Sequence, residues 1–252
     1  MKKLLSIILL LLVSVTNAQV KDTISVNTDL LLGINLSGGN RPMYGGNIKA
    51  NLSIIHNAWE TNISPSFTLN YTTDSDGVLQ VQRRELYNSL SVSHVLSDKW
   101  KFIGFSEFDN SFLQKIDLRF NAGVGPGFRY KTDKSEISIS EVILAERLNS
   151  KIEEINDYFV LRASTRVKFI CKTNFCKITT IHLIQPAIYT DQDISMNKHM
   201  IYRSNSRIDF NISKKVTTGL TYDTIYQAYT SYMIGSVKPF DWNSSFFISY
   251  KL

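Results

Sequence analysis

Residues 117–130, with the sequence DLRFNAGVGPGFRY, alternate between apolar and polar side chains with a period of two. This alternation is typical of a β-strand, whose successive side chains point to opposite faces. One face carries Leu118, Phe120, Ala122, Val124, Pro126, Phe128 and Tyr130. The other face carries Asp117, Arg119, Asn121, Gly123, Gly125, Gly127 and Arg129. The segment therefore predicts a strand whose two faces meet different environments.

The same alternation recurs along nearly all of the chain after residue 22. The other predicted strands are 24–36, 44–54, 59–71, 86–96, 100–108, 137–145, 159–171, 177–189, 200–212, 216–226 and 242–252. The alternation loses phase near Glu141, where we expect a β-bulge. A soluble protein would have to bury all these apolar strand faces, and the remaining chain is too short to cover them. The pattern therefore favours a barrel whose apolar outer face contacts lipid and whose polar inner face lines a lumen. We therefore predict an all-β fold, a transmembrane antiparallel up-and-down β-barrel.

The predicted strands number about twelve, an even number as in bacterial outer-membrane barrels. Removing 18 residues from 252 leaves 234, which allows about 19 or 20 residues per strand with its connection. Ten or fourteen strands also fit this length. No linker rich in Pro, Gly or Ser interrupts residues 19–252, so we expect one barrel domain.

The first 18 residues have the pattern of a secretory signal peptide. Lys2 and Lys3 precede an apolar run over residues 4–15, and a small residue, Ala18, ends the segment. The run is shorter than the roughly 20 residues that a membrane-spanning helix needs. We expect cleavage before Gln19, and export of the mature chain.

The connections between the predicted strands alternate between short and long. Short turns are expected around His56-Asn57, Ser97-Asp98, Asp133-Lys134, Thr173-Asn174 and Ser213-Lys214. Longer polar connections cover 72–82, 149–157, 190–198 and 231–241. Outer-membrane barrels have short periplasmic turns and longer external loops. The pattern therefore predicts an outer-membrane location with both termini in the periplasm.

The final predicted strand ends at the carboxyl terminus with Phe246, Ile248, Tyr250 and Leu252 on one face. It is similar to the terminal strands by which barrel proteins are recognised, so the barrel-insertion machinery is an expected partner beside outer-membrane lipid. The net charge of +6 is spread along the chain. Nucleic-acid binding proteins cluster their basic residues, so no nucleic acid is expected as a partner. We expect a monomer.

Charged side chains occupy many of the predicted lumen positions. This set contains both signs with an arginine excess: Asp29, Lys49, Glu60, Glu107, Asp109, Asp117, Arg119, Arg129, Arg162, Arg166, Arg203, Arg207 and Asp209. Buried charges without partners are unfavourable, so we expect these to pair across the barrel. Two interpretations remain open, a lumen plugged by ion pairs and a narrow water-filled path.

The two cysteines, Cys171 and Cys176, flank the predicted turn CKTNFC. In an oxidising periplasm this arrangement predicts a disulfide bond across the mouth of a hairpin. A zinc site would need a second pair of ligands, which the chain lacks near these cysteines. We expect no metal.

The sequence offers little that indicates catalysis. The four histidines are His56, His94, His182 and His199. A lipase needs a serine within reach of a histidine, but the neighbours of His182 on its strand face are Thr180 and Ile184. The three glycines at 123, 125 and 127 lie within a strand with no helix after it, which excludes a dinucleotide-binding loop. We expect no enzyme activity, no catalytic residues and no cofactor.

Several short motifs together resemble a known family. They are Asp98-Lys99-Trp100, Gly104, Glu107, the run FLQKIDLR at 112–119, Gly123-Val124-Gly125 and Gln185-Pro186. The chain resembles family 481 of the domains of unknown function, of the salt-induced outer-membrane protein type. The resemblance covers most of the mature chain and is most specific over residues 98–130. It implies an outer-membrane barrel of unassigned activity and no catalytic residues.

These observations favour a narrow passive channel or a structural, stress-related component of the envelope. One alternative is a surface-binding, adhesin-like barrel, for which the charged loop 149–157 is the only support. Others are an outer-membrane lipid-modifying enzyme and a soluble lipid-binding barrel, which would need apolar residues facing inward. Trp59, Trp100, Tyr130, Trp242 and Tyr250 fall near strand ends, where aromatic rings suit the membrane interface.

Overall fold

The computed structural model describes residues 24–38, 43–73, 79–111, 116–150, 157–191, 199–227 and 240–251. The predicted signal peptide, residues 1–18, lies outside these ranges, as does most of the loop 149–157. Among the described residues, no helix is long and apolar enough to cross a membrane.

The described chain consists of antiparallel strands joined by turns. The strands are β1 (Ile24–Gly38), β2 (Met43–His56), β3 (Trp59–Thr73), β4 (Leu79–Val95), β5 (Trp100–Ser111), β6 (Ile116–Lys131), β7 (Ser135–Ser150), β8 (Tyr158–Lys172), β9 (Cys176–Gln185), β10 (Ala187–Thr190), β11 (Ile201–Asn211), β12 (Val216–Gln227) and β13 (Phe240–Lys251). The segments β9 and β10 form one strand of the barrel, interrupted at Pro186, and both pair with β8.

The sheet closes on itself. From β1 to β8 each strand pairs with the next, and the sheet continues through β9, β11, β12 and β13. The last strand, β13, pairs antiparallel with β1, with Leu30 opposite Tyr250 and Ile34 opposite Phe246. Closure leaves no open edge along the wall, which a lipid environment requires. The prediction of an antiparallel barrel of about twelve strands is confirmed.

Side chains alternate between an apolar outer surface and a mostly polar interior. On β7, Ile137, Ile139 and Ile143 are exposed, whereas Ser138 and Ser140 are buried. Four of the predicted interface aromatics, Trp59, Trp100, Tyr130 and Tyr250, are exposed large hydrophobic residues. The fifth, Trp242, is half-buried and stacks on Tyr222 with ring centroids 6.2 Å apart. The barrel therefore presents an apolar belt with aromatic residues near the strand ends.

The bulge expected near Glu141 does not occur. The register between β6 and β7 is the same at Val124↔Ile143 as at Gly127↔Ser140. Glu141 lies on the outer surface, where it accepts a hydrogen bond of 2.6 Å from Thr165 Oγ1. The phase of the sequence is lost because apolar residues of β7, including the buried Val142, face the lumen. No extra residue is inserted.

The five predicted short turns are present, and the strands at the opposite end are longer than predicted. Asn57 has a positive φ of 53°, as the tight turns of two-residue hairpins require. The predicted loop 72–82 is shorter, because β3 continues to Thr73 and β4 begins at Leu79. Likewise β7 continues to Ser150. We call the half of the barrel near the short turns the turn half, and the opposite half the loop half.

Gly125 marks a place where two strands approach closely. A Cβ atom at this position would overlap the backbone carbonyl oxygen of Glu141 on β7. A Cβ at Gly104, by contrast, would lie 3.7 Å from its nearest neighbour, the Val92 carbonyl oxygen. Glycine is therefore required at 125 for the close strand contact.

Candidate functional site: the charged lumen of the barrel

Twelve of the thirteen predicted lumen charges lie on inward-facing strand positions and are buried or half-buried. They are Asp29, Lys49, Glu60, Glu107, Asp109, Arg119, Arg129, Arg162, Arg166, Arg203, Arg207 and Asp209. Asp117 is exposed instead. The register between β6 and β7 shifts between Ile116 and Leu118, and Ile116 is the buried residue at that end of β6. The sequence prediction for Asp117 is therefore wrong, because the irregularity changes the phase of the strand.

In the loop half, an ion pair joins Arg162 to Glu146. Arg162 Nη2 lies 2.9 Å from Glu146 Oε1, and Nε lies 3.2 Å from Oε2. The Arg162 and Glu146 side chains are 0% and 1% exposed. Arg162 Nη1 also donates to the carbonyl oxygens of Gln185 and His199. One guanidinium thus connects β7 and β8 to the end of β9 and to His199, two residues before β11.

Two further ion pairs lie in the same half. Arg119 Nη2 is 2.8 Å from Asp109 Oδ2, and these residues face each other in the β5–β6 register. Arg203 Nη1 is 2.8 Å from Glu107 Oε1, and this pair joins β11 to β5 across the lumen. Each of these three inward-facing arginines therefore has a carboxylate partner.

In the turn half, carboxylates are shared among more cations. Glu60 Oε2 lies 3.6 Å from Lys101 Nζ, and Glu60 Oε1 lies 3.4 Å from Arg129 Nη1. Glu136 lies 3.2 Å from Lys168 Nζ. Two carboxylates thus hold three cationic side chains in this part of the lumen.

Arg207, Asp209, Asp29 and Lys177 are further charges of the turn half, and Lys177 lies opposite Asp209 in the β9–β11 register. Arg207 Nε donates to Asp209 Oδ1 at 2.6 Å, and its guanidinium lies 4.2 Å from the centroid of the Phe247 ring. Asp29 lies opposite Lys251 in the β1–β13 register.

Lys49 and Arg166 differ from the other lumen cations. Both lie near the middle of their strands, β2 and β8, and both are half-buried. Within the part of the chain that the structure describes, neither makes an ion pair or a side-chain hydrogen bond. Glu136, the carboxylate that acts electrostatically on Arg166, is already bound to Lys168. Asp223 acts electrostatically on Lys49, but no direct contact joins their side chains among the described residues. The middle of the lumen therefore carries two cations that lack a direct carboxylate contact among the described residues.

A cavity of about 280 Å³ lies in the loop half of the barrel, and neither of these two cations lines it. Its walls include Tyr87, Asp109, Arg119, Arg203 and Asp223. Asp223 accepts a hydrogen bond from the amide of Asn205. The cavity is thus lined by charges that are already held in place, whereas Lys49 and Arg166 stand free of such contacts among the described residues.

Some lumen residues were not predicted from the sequence. They are Glu146 and Glu136, which form the ion pairs with Arg162 and Lys168 described above. Glu146 is in phase with the inward positions Ser138, Val142 and Leu144 of β7, so the two-residue period of the sequence does place it in the lumen. This period was obscured because Val142 and Leu144 are apolar residues facing inward.

The predicted disulfide is absent, since both cysteines are free thiols in the structure. Cys171 lies opposite Ile178 in the β8–β9 register, not opposite Cys176. Cys176 is therefore a diagonal neighbour of Cys171, and such neighbours are about 7–8 Å apart, beyond the usual Cα separation of a disulfide. The Cys176 thiol lies 3.3 Å from Thr173 Oγ1 instead.

The closed antiparallel wall, the apolar belt and the charged lumen define a β-barrel of the outer-membrane class. The NanC porin has a similar structure, with a TM-score of 0.60 at 10% identity, covering 88% of this chain and 100% of that one. The translocator domain of the autotransporter NalP from Neisseria meningitidis has a TM-score of 0.50 at 7% identity, covering 99% and 95%. The KdgM porin in complex with disordered oligogalacturonate has a TM-score of 0.47 at 7% identity, covering 87% and 98%.

The chain belongs to the DUF481 family, described as a protein of unknown function, whose model matches residues 30–229. The resemblance seen in the sequence motifs is thereby confirmed. The search of curated proteins gave no match to this sequence.

Proposed function

We propose that this barrel is a narrow passive channel of the outer membrane that prefers small anions. The observation that carries the proposal is the position of Lys49 and Arg166 in the middle of the lumen, without an ion pair among the described residues. Charges of one sign inside low-dielectric walls raise the local concentration of oppositely charged solutes. Small anions should therefore enter this region more readily than cations of the same size.

The width of the barrel limits what can pass. Barrels of about eight strands are filled by side chains, whereas porins with an open aqueous channel have about sixteen. Twelve strands leave an intermediate lumen, which the three ion pairs of the loop half narrow further. The solutes of this channel are therefore small.

The experiment is single-channel recording in planar lipid bilayers with a salt gradient across the membrane. The wild type should conduct with a reversal potential that indicates anion preference. Changing Lys49→Ser together with Arg166→Ser should shift that potential toward cation preference. Arg147→Ser is the matched control for the arginine, because Arg147 is exposed on the outer surface and pairs with Asp157; this variant should keep the wild-type potential.

Absence of conductance in the wild type and in the double variant would overturn the channel proposal. That outcome would favour a structural envelope component, for which the buried ion pairs of the loop half are the supporting observation. An adhesin-like role lacks comparable support, because the described charge of its loop, Asp157, is engaged with Arg147 at 2.7 Å.

The proposal includes the orientation and partners of the barrel. Short turns and both termini face the periplasm, as in other outer-membrane barrels. The last strand, β13, is the segment recognised by the insertion machinery, and its exposed Phe246, Ile248 and Tyr250 form an apolar face suited to that contact. The barrel acts as a monomer without enzyme activity or a nucleic-acid partner.

A further inference from the structure

The short turns of the barrel carry a group of exposed lysines. Lys99 lies in the turn before β5, and Lys172 ends β8. The β6–β7 turn contributes Lys131 and Lys134, and the β11–β12 turn contributes Lys214 and Lys215. We call these six residues the basic rim. The acidic residues of the same turns are Asp98 and Asp133, so the rim carries a net charge of +4 (six minus two).

The basic rim is continuous around a large part of the barrel. The backbone amide of Arg129 donates to the Lys99 carbonyl oxygen at 2.7 Å, which joins the first two turns. The backbone amide of Lys172 donates to the Lys134 carbonyl oxygen at 2.7 Å, which joins the next two. Strand β9 then pairs with β11, so the turn with Lys214 and Lys215 follows directly. The lysines therefore form one arc.

A groove of about 350 Å³ opens within this arc, between the β4–β5 and β6–β7 turns. Lys99, Arg129 and Lys131 line it, together with Asp98 and Asp133. Among the described residues, no ion pair involves a lysine of the basic rim. The rim thus presents ammonium groups that are available to an anion from outside the chain.

The rim lies next to the aromatic residues of the outer surface. Lys215 Nζ is 5.8 Å from the centroid of the Tyr250 ring. Trp100 and Tyr130, both more than half exposed at 53% and 52%, are close in sequence to Lys99 and Lys131. Aromatic rings of this kind sit at the level of the lipid headgroups. The ammonium groups therefore lie at the height of headgroup phosphates.

We propose that the basic rim binds the phosphate groups of anionic phospholipids in the leaflet bordering the short turns, the periplasmic leaflet. Clusters of lysine at a membrane surface attract anionic lipid, and this attraction acts over about a Debye length. In the described loop half the exposed arginines do not form such a group, since Arg147 is paired with Asp157 and Arg84 lies on another strand, β4. The inference rests on the proposed orientation of the short turns toward the periplasm, but not on whether the lumen conducts.

The test uses the purified full barrel in detergent, with equal amounts of phosphatidylglycerol and phosphatidylcholine of the same chain length. Native mass spectrometry then counts how much of each lipid stays bound. The wild type should retain phosphatidylglycerol at least tenfold more than phosphatidylcholine, since each lysine near an anionic surface contributes about fivefold in affinity. The variant Lys131→Gln, Lys134→Gln, Lys214→Gln, Lys215→Gln should lose most of this preference.

The matched control replaces the same four lysines by arginine, which keeps the charge and should keep the preference. Heat-dependent migration in gels verifies that each variant is folded, and the arginine variant keeps the proposal testable if the glutamine variant does not fold. Equal retention of the two lipids by the wild type would overturn the proposal. Binding of inorganic phosphate by the wild type without retention of phosphatidylglycerol would also overturn it, by indicating a site for free phosphate.

Discussion

Arg162 and Glu146 form a two-point ion pair inside the wall of the barrel, with Arg162 Nη2 2.9 Å from Glu146 Oε1. Both side chains are almost completely buried. Removing one member of a buried ion pair leaves an uncompensated charge, which costs about 3–5 kcal/mol. We therefore predict that Arg162→Met lowers the free energy of unfolding by about this amount, measured by urea titration in lipid vesicles.

The double variant Arg162→Met, Glu146→Leu should recover most of that loss, because it removes both charges. Arg147→Met is the control, since its pair with Asp157 is exposed to solvent and should leave the free energy of unfolding unchanged. If Arg162→Met had the same free energy of unfolding as the wild type, the ion pair with Arg162 would not be what compensates the burial of Glu146.

Glu141 lies on the lipid-facing surface between Ile139 and Ile143, both of which are exposed. Charged side chains on the lipid face of a barrel are destabilising, by up to about 2–4 kcal/mol for Arg and Lys and by less for Glu. We predict that Glu141→Leu raises the free energy of unfolding by about 1 kcal/mol. Urea titration in vesicles measures the change.

Glu136→Leu is the matched control for Glu141→Leu, because Glu136 faces the lumen and pairs with Lys168. This variant should be less stable than the wild type. Equal effects of the two substitutions, in sign and size, would contradict the assignment of Glu141 to the outer surface.

Gly125 should not tolerate a side chain. Because a Cβ at this position would overlap the Glu141 carbonyl oxygen, Gly125→Ala must displace the backbone of β6 or β7. Overpacking of this kind costs about 1–3 kcal/mol. Gly104→Ala, where the nearest atom is 3.7 Å away, should change the free energy of unfolding by about 0.5 kcal/mol or less. If both variants lost a similar amount of free energy of unfolding, the close contact at Gly125 would not explain the destabilisation by Gly125→Ala.

The positions of the strands could be predicted from the sequence because their two faces meet different solvents. On β6, the alternation from Leu118 to Tyr130 defines both the strand and the inward position of Arg119. The bulge expected near Glu141 was wrong because the lumen of β7 accepts apolar residues such as Val142 and Leu144. A period-two pattern is visible only where all residues of one strand face are polar and all residues of the other are apolar. The inner face of β7 carries both polar and apolar residues.

The pairing of the charges could not be predicted in the same way. Asp109 and Arg119 lie opposite each other, but only the register between β5 and β6 reveals this. Arg203 and Glu107 are 96 residues apart and meet only because the sheet is closed. The sequence indicated which charges face inward, whereas the closure of the barrel decides which of them remain unpaired.

The pairing of β1 with β13 also has a consequence for the order in which the protein is assembled. Every ladder partner of β1 on that side, from Lys251 to Trp242, lies far later in the chain than β1 itself. Until they arrive, β1 and β12 are two bare edges, and in lipid each unsatisfied backbone group costs several kcal/mol. The wall therefore cannot close until β13 has been synthesised, and a chain truncated before β13 would leave open edges on β1 and β12 rather than form a smaller barrel.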